Sequence, residues 1–283
     1  MHGRDDEIRW LAEWPRAKAH WMRADFSFMI GFIPPVVAAL LGALVGTFLN
    51  TCIDRFAHSG AIASPASVCQ GCGRRLSRLE KLPVVAYVAL GGRCRTCDVA
   101  IPPRYAIVEA LTATTFALGW WYYGPGPLLA SRLLLGCALI LLFVVDLEDH
   151  RLPNAITLPG IVVGFAFSFF AGPGWSASLG GIVLGAAVLL LVAEISRRLR
   201  REEGLGMGDV KMLAMIGAFV GWKLMLVALV MALFSGSAIG LALIVTGRTG
   251  RQHMLPFGTF LAFGAAIAVT VGPTLVDWYV ALW

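Results

Sequence analysis

The sequence predicts an all-α polytopic membrane protein of about eight transmembrane helices, interrupted by one long polar loop. Three observations carry this reading. Hydrophobic residues make up 58% of the 283-residue chain and mean hydropathy is +0.76, so too little polar residue remains to surface a water-soluble globule of this size. Apolar runs close to the roughly 20 residues that cross a bilayer recur along the chain. Basic residues collect in alternate connections between those runs.

Taken in order, residues 1–25 form a charged N-terminal extension with five basic and five acidic side chains. It lacks the apolar core of a cleavable signal peptide. Trp10, Trp14 and Trp21 stand at near-helical spacing within it, as on an interfacial amphipathic helix. The first span is read near 26–49, within a first-helix segment 26–50, and residues 51–104 form the long polar loop. Residues 105–283 form a membrane-embedded domain with spans near 105–123, 128–145, 155–171, 176–196, 210–222, 224–246 and 255–280. The run 210–222 is the shortest.

The net charge of +6 would fit a nucleic-acid partner only if it formed a patch. Instead, eight Lys and Arg fall in 51–104, five in 197–211 and two in 247–254, while 124–127 and 172–175 carry none. Arg132 and Lys223, near outer span ends, depart from the pattern. The alternation follows the positive-inside rule, places the basic loops in the cytoplasm and, with eight spans, puts both termini outside it. No nucleic acid is needed to explain the charge; the lipid bilayer is the partner it implies.

Cys69-x2-Cys72 and Cys94-x2-Cys97, separated by 21 residues, occupy the polar loop. Each pair has the form of a zinc knuckle, and together they can supply four thiolates to one tetrahedral zinc per chain. Two disulfides or a dithiol redox pair are the alternatives; a reducing cytoplasm disfavours the first, and one CxxC suffices for the second. A four-thiolate site has no open position, so such a zinc is structural, standing in for a core the loop is too polar to build. Cys52 and Cys137 lie in or beside apolar spans, where cysteine is an ordinary small apolar residue.

Two aspartates carry the chemistry. Asp146 closes the apolar run LLLGCALILLFVV, and Asp209 precedes VKMLAMIGAFVG in the segment Gly206-Met207-Gly208-Asp209. Ionisable groups at membrane depth are costly and tend to mark function. The charge alternation puts both at cytoplasmic span ends, where two carboxyl groups can share a proton, one acting as base and one as acid. The plainer readings are a helix N-cap for Asp209 and a solvated carboxylate for Asp146, beside Glu148, Asp149, His150 and Arg151. Asp149 lies one turn from Asp146 and competes with it, but Asp146 borders the apolar run and is the better desolvated. Gly206 and Gly208 would let an extended substrate backbone approach Asp209.

Lys211 would point away from Asp209 on a regular helix. It is read as a phosphate or substrate-carboxylate contact, or as a side chain snorkelling to the interface. Glu109, inside the second span, would receive a substrate amine or cationic segment, or pair with Arg104.

Together these motifs resemble the bacterial type IV prepilin peptidases, the leader peptidase/N-methyltransferases. The resemblance covers about residues 46–265: GTFLNTCIDR (46–55), the paired CxxC motifs with RCRTC (93–97), IPPRYAIVEALTA (101–113), VDLEDHRLPN (145–154), GMGDVK (206–211) and LPFGTFLAFGA (255–265). Intramembrane proteases of the presenilin type share GxGD but lack the cysteine loop. The resemblance implies a bacterial inner-membrane aspartic protease that removes the basic leader of prepilins or pseudopilins after a glycine, at the cytoplasmic membrane face. It implies that Asp146 and Asp209 are catalytic, that Cys69, Cys72, Cys94 and Cys97 hold zinc, and that S-adenosylmethionine donates a methyl group to the new N-terminal amine. The chain departs from the family at Leu79-Glu80-Lys81-Leu82-Pro83, in the part of the loop associated with methylation. A peptidase without methyltransferase activity is one alternative. Another is a proton-coupled transporter, which also uses carboxylates at membrane depth but commonly shows an internal repeat, of which this sequence has none.

Overall fold

Proline and glycine punctuate the apolar sequence, and the helices fall between them. The computed structural model describes residues 35–57, 72–73, 93–94, 96–97, 99–100, 102–200, 206–246 and 256–281. The N-terminal extension 1–25 and Cys69 lie outside the described residues. Helices run α1 Pro35–Ala57, α2 Arg104–Tyr123, α3 Pro127–Asp149, α4 Asn154–Phe167, α5 Trp175–Arg200, α6 Met207–Val245, α7 Phe257–Thr270 and α8 Gly272–Ala281. Gly124, at φ 66°, ends α2, and Pro127 takes the first position of α3, where its missing N–H costs nothing. Pro153 and Pro256 stand at the N-caps of α4 and α7.

By length and apolarity four helices can cross a membrane: Pro35–Phe56, Pro127–Asp149, Trp175–Leu199 and Met207–Val245. The number rises to five if Phe257–Thr270 and Gly272–Ala281, bent by 66°, count as one span. The other expected spans are helical but modest. Helix α2 is diluted by Glu109 and three threonines. Helix α4 has 14 residues, about 21 Å at 1.5 Å per residue, short of a hydrocarbon core of roughly 30 Å. The sixth and seventh spans form one run of helix broken at Gly221 (φ 79°, ψ 171°). Helix α1 extends past the expected end of the first span, to Ala57.

The first part of α6 is the centre of the fold. Met212, Leu213, Met215, Ile216 and Ala218 are fully buried, with α3, α4, α5 and α7 packed against α6. Close approach is made by small residues: a Cβ on Gly181 or Gly217 would collide with the other's carbonyl oxygen, and one on Gly264 with that of Ala228. Such backbone-level contact is how helices gain packing energy where lipid is as apolar as leucine.

The break at Gly221 deprives the preceding carbonyls of helical partners, a serious cost away from water. Ser178 Oγ donates to the Ala218 carbonyl at 2.7 Å, and Arg132 Nη1 donates to that of Phe219 at 3.1 Å. The Arg132 side chain is buried, and its cation meets the negative end of a helix. Arg132 departs from the loop-charge pattern because it caps a broken helix from inside the fold. Arg132→Met should therefore destabilise the protein by about 2 kcal/mol, and Gly221→Ala by about 1–3 kcal/mol through backbone strain, measured by thermal unfolding in detergent. An unchanged midpoint for Arg132→Met would contradict the capping role.

Candidate active site

Asp146 occupies the last turn of α3. The helix runs on to Asp149 and stops at His150, whose left-handed backbone (φ 54°) lets its amide bond back to the Asp146 carbonyl at 3.0 Å. Asp209 is the third residue of α6. The N-cap position falls on Gly206, and the Asp209 amide bonds to the Gly206 carbonyl at 3.1 Å, so Asp209 is not the cap that the plainer reading made it.

The two aspartates, 63 positions apart in sequence, line one open cavity of about 360 Å³. Both are largely shielded, Asp146 at 5% and Asp209 at 9% relative exposure, so water reaches them through that cavity. His150, Arg151 and Lys211 add basic groups to its wall. Lys211 reaches the wall by donating to Asn154 Oδ1 at 2.8 Å, which corrects the expectation that it would point away.

The glycines differ in their use. A Cβ on Gly208 would lie 2.8 Å from Leu152 Cβ, so glycine is needed for the segment after α3 to pack there. A Cβ on Gly206 would only reach ordinary contact with Asp209 Oδ2, at 3.4 Å. Gly206 therefore keeps the cavity open beside the carboxyl rather than relieving a clash.

Asp149 is not among the residues lining the cavity. The helix does continue, and Asp149 Oδ2 is buried with no hydrogen bond among the described residues. Glu109 also lies elsewhere: it is buried between α1 and α2, accepting a hydrogen bond from Thr47 Oγ1. Arg104 pairs with Asp54 and Glu148 rather than with Glu109, since five residues turn a helix by about 500° and leave the two side chains on different faces.

A third element, the start of the helix in the LPFGTFLAFGA block, completes the site, in a role that the sequence reading did not assign. The first turn of α7 meets Asp146. The Thr259 amide donates to Asp146 Oδ2 at 2.7 Å and its hydroxyl to the same oxygen at 3.1 Å. An ideal Cβ on Gly258 would lie 2.9 Å from that oxygen. The signal in the sequence was a proline-started helix with Gly and Thr in its first turn, where backbone N–H groups lack helical partners.

In the cysteine loop, the Sγ atoms of Cys72, Cys94 and Cys97 lie within 4.8 Å of one another, and Cys72 and Cys94 are 4.0 Å apart. Thiolates around a tetrahedral zinc, at Zn–S near 2.3 Å, sit about 3.8 Å apart, so three of the four expected ligands are spaced to hold a metal ion. An isolated bridge between Arg93 and Ala100 and a 2.9 Å bond from the Cys94 amide to the Val99 carbonyl close the second knuckle. Cys69 falls outside the described residues.

Comparison with known proteins agrees with this arrangement. Residues 40–123 match the family described as the bacterial peptidase A24 N-terminal domain, and residues 133–241 match the type IV leader peptidase family. The chain is 32% identical over 264 residues to the prepilin leader peptidase/N-methyltransferase of Burkholderia pseudomallei, covering 83% of this chain and 84% of that protein. It is 35% identical over 236 residues to the protein of that name in Myxococcus xanthus, covering 80% and 69%. With the one from Pseudomonas aeruginosa it shares 30% identity over 267 residues, covering 85% and 91%. No solved structure matches the chain. Both halves of the chain match this family in order, over most of the length of its relatives, and the chain belongs to the type IV leader peptidase family.

Proposed function

We propose that this protein is a membrane aspartic peptidase that removes the basic leader of prepilins or pseudopilins. We propose further that it methylates the amine so exposed, with S-adenosylmethionine as donor. The observation that carries the reading is the shared cavity: Asp146 and Asp209, on α3 and α6, line the same open space at the ends of apolar helices. Family membership supplies the substrate class. Cleavage then takes place at the cytoplasmic face of the bacterial inner membrane, where the basic loops lie.

The chemistry follows from two carboxyl groups and one water. The ionised carboxylate takes a proton from water as the water oxygen attacks the carbonyl of the leader's last glycine, and the protonated partner donates to that carbonyl oxygen. The tetrahedral gem-diol collapses as one carboxyl gives its proton to the departing amine nitrogen while the other carboxylate takes the proton of one gem-diol hydroxyl, breaking the C–N bond, re-forming the carbonyl and leaving one shared proton on the dyad. Gly206 and Gly208 border the Asp209 side of the cavity and leave room for an extended substrate backbone. The basic wall residues His150, Arg151 and Lys211 keep the region favourable to anionic groups.

Zinc is the metal that three converging thiols in this spacing fit, with Cys69 the fourth ligand of the pattern. With every position filled by thiolate, it would hold the loop's fold and take no part in bond breaking.

Incubating purified protein in detergent with a prepilin and measuring product mass tests the reading, because leader loss and a methyl-sized gain are separately visible. Asp146→Asn and Asp209→Asn should each abolish cleavage with the fold retained, since an amide cannot exchange the proton, while Asp149→Asn keeps substantial activity. Asp146→Asn should still methylate a peptide supplied already cleaved. Near-normal cleavage by either catalytic variant would falsify the mechanism.

Metal analysis should find about one zinc per chain, sharply reduced by Cys72→Ser. Full zinc retention after replacement of all four cysteines would rule out the thiolate site.

A further inference from the structure

The side of Asp146 that meets the protein is as specific as the side that meets the cavity. Resting on the catalytic reading of Asp146 above, we infer that Thr259 is a positioning residue for peptide cleavage. It holds Asp146 Oδ2 with two donors, so that Oδ1 is the oxygen that exchanges protons with water.

Both hydrogen bonds come from one residue and end on one atom: the Thr259 amide at 2.7 Å and the Thr259 hydroxyl at 3.1 Å, each to Asp146 Oδ2. An amide N–H can only donate, so Oδ2 is an acceptor in this arrangement and carries no proton toward α7. A carboxylate oxygen offers about two lone-pair sites, which the Thr259 amide and hydroxyl fill on Oδ2, and the Gly258 amide of the same turn also interacts with this carboxyl. A proton taken from water therefore arrives on Oδ1. The terminal torsion of an aspartate is broad and roughly two-fold, so one donor would leave the carboxyl plane loosely set, whereas donors from the main chain and the side chain together define it.

The surroundings are built for this contact. Thr259 is 7% exposed and is not among the residues lining the cavity, so it acts on the reaction through Asp146 rather than by touching substrate. Gly258 lets the helix end come this close. A Cβ there would lie 2.9 Å from Asp146 Oδ2 and 3.0 Å from both Asp146 Cγ and Leu152 Cδ1. The amide of Thr259 is free to donate because it lies in the first turn of α7, where N–H groups have no helical acceptor. The site thus draws on three separate stretches of chain: α3 for one carboxyl, α6 for the other, and α7 for the frame that orients the first.

Two kinds of substitution separate this role from simple packing. Thr259→Val keeps the shape and the amide but loses the hydroxyl, whereas Thr259→Ser keeps the hydroxyl and loses a methyl. Cleavage of a purified prepilin-type precursor, carrying a basic leader, a glycine and an apolar helix, is followed with full-length enzyme in detergent. Thr259→Val should lower kcat about tenfold, the scale of one hydrogen bond to a charged group, and Thr259→Ser should stay within about threefold of the parent. Binding of the same uncleaved precursor to an Asp209→Asn background should be unchanged by adding Thr259→Val. Thr259→Ala, also without the hydroxyl, repeats the test if Thr259→Val fails to fold. Parent-like turnover in the hydroxyl-free variants, or a Thr259→Ser enzyme as slow as they are, overturns the inference. Asp146→Asn run alongside separates the two readings. If it cleaves normally the catalytic reading itself fails, and if it is dead while Thr259→Val turns over normally only the positioning role fails.

Discussion

A carboxyl group near the membrane interior has lost its water and must be given something in return, and two such groups side by side must also share their charge. The local features around this site answer that constraint. His150 turns left-handed and ends α3 one turn beyond Asp146, so the aspartate stays on regular helix while the chain bends away. Gly208 lets Leu152 close against the start of α6, and Gly258 lets the free amides of α7 reach the Asp146 carboxyl. The open cavity admits water to the opposite side, where both carboxyl groups meet it.

The same constraint reaches into the packing. Asp209 is carried by a segment of α6 running only from Met207 to Val220 before the break at Gly221, roughly 21 Å of helix. A helix that short ends where its last carbonyls have no water to turn to. Ser178 and Arg132 supply the missing donors from α5 and α3, and the backbone contact of Gly181 with Gly217 presses the segment against α5. A capped and wrapped half-helix gives Asp209 a fixed position relative to α3, which a loop could not do.

Much of this was legible in the sequence, and the parts that were not share a reason. Apolar run length located the helices, and the cost of charge in such runs singled out Asp146 and Asp209, which do line one cavity. CxxC spacing brought Cys72, Cys94 and Cys97 together correctly. Asp149 does not line the cavity, in keeping with the preference for Asp146, but local spacing misled at Glu109, whose partner Thr47 comes from a helix 62 positions earlier. Thr259 was invisible for the same reason: it acts on Asp146 across 113 positions, partly through a main-chain amide that no residue type announces. Arg132 looked like an exception to loop charge because its acceptor is a carbonyl freed by a helix break, and only tertiary structure creates that acceptor. Counting apolar runs also made spans of α2 and α4, since it registers helicity more readily than the length or apolarity a crossing requires.

In the proposed mechanism Asp146 and Asp209 act on one tetrahedral centre. The most direct test is a structure of the protein with a leader-spanning peptide in which a hydroxyl-bearing tetrahedral carbon replaces the glycine carbonyl at the scissile bond. Such a group resembles the transition state and should bind tightly. The hydroxyl should lie within hydrogen-bond distance, about 2.5–3.0 Å, of a carboxyl oxygen from each aspartate, with Asp146 contributing Oδ1. A hydroxyl in contact with only one of the two, or with Asp149, would contradict it.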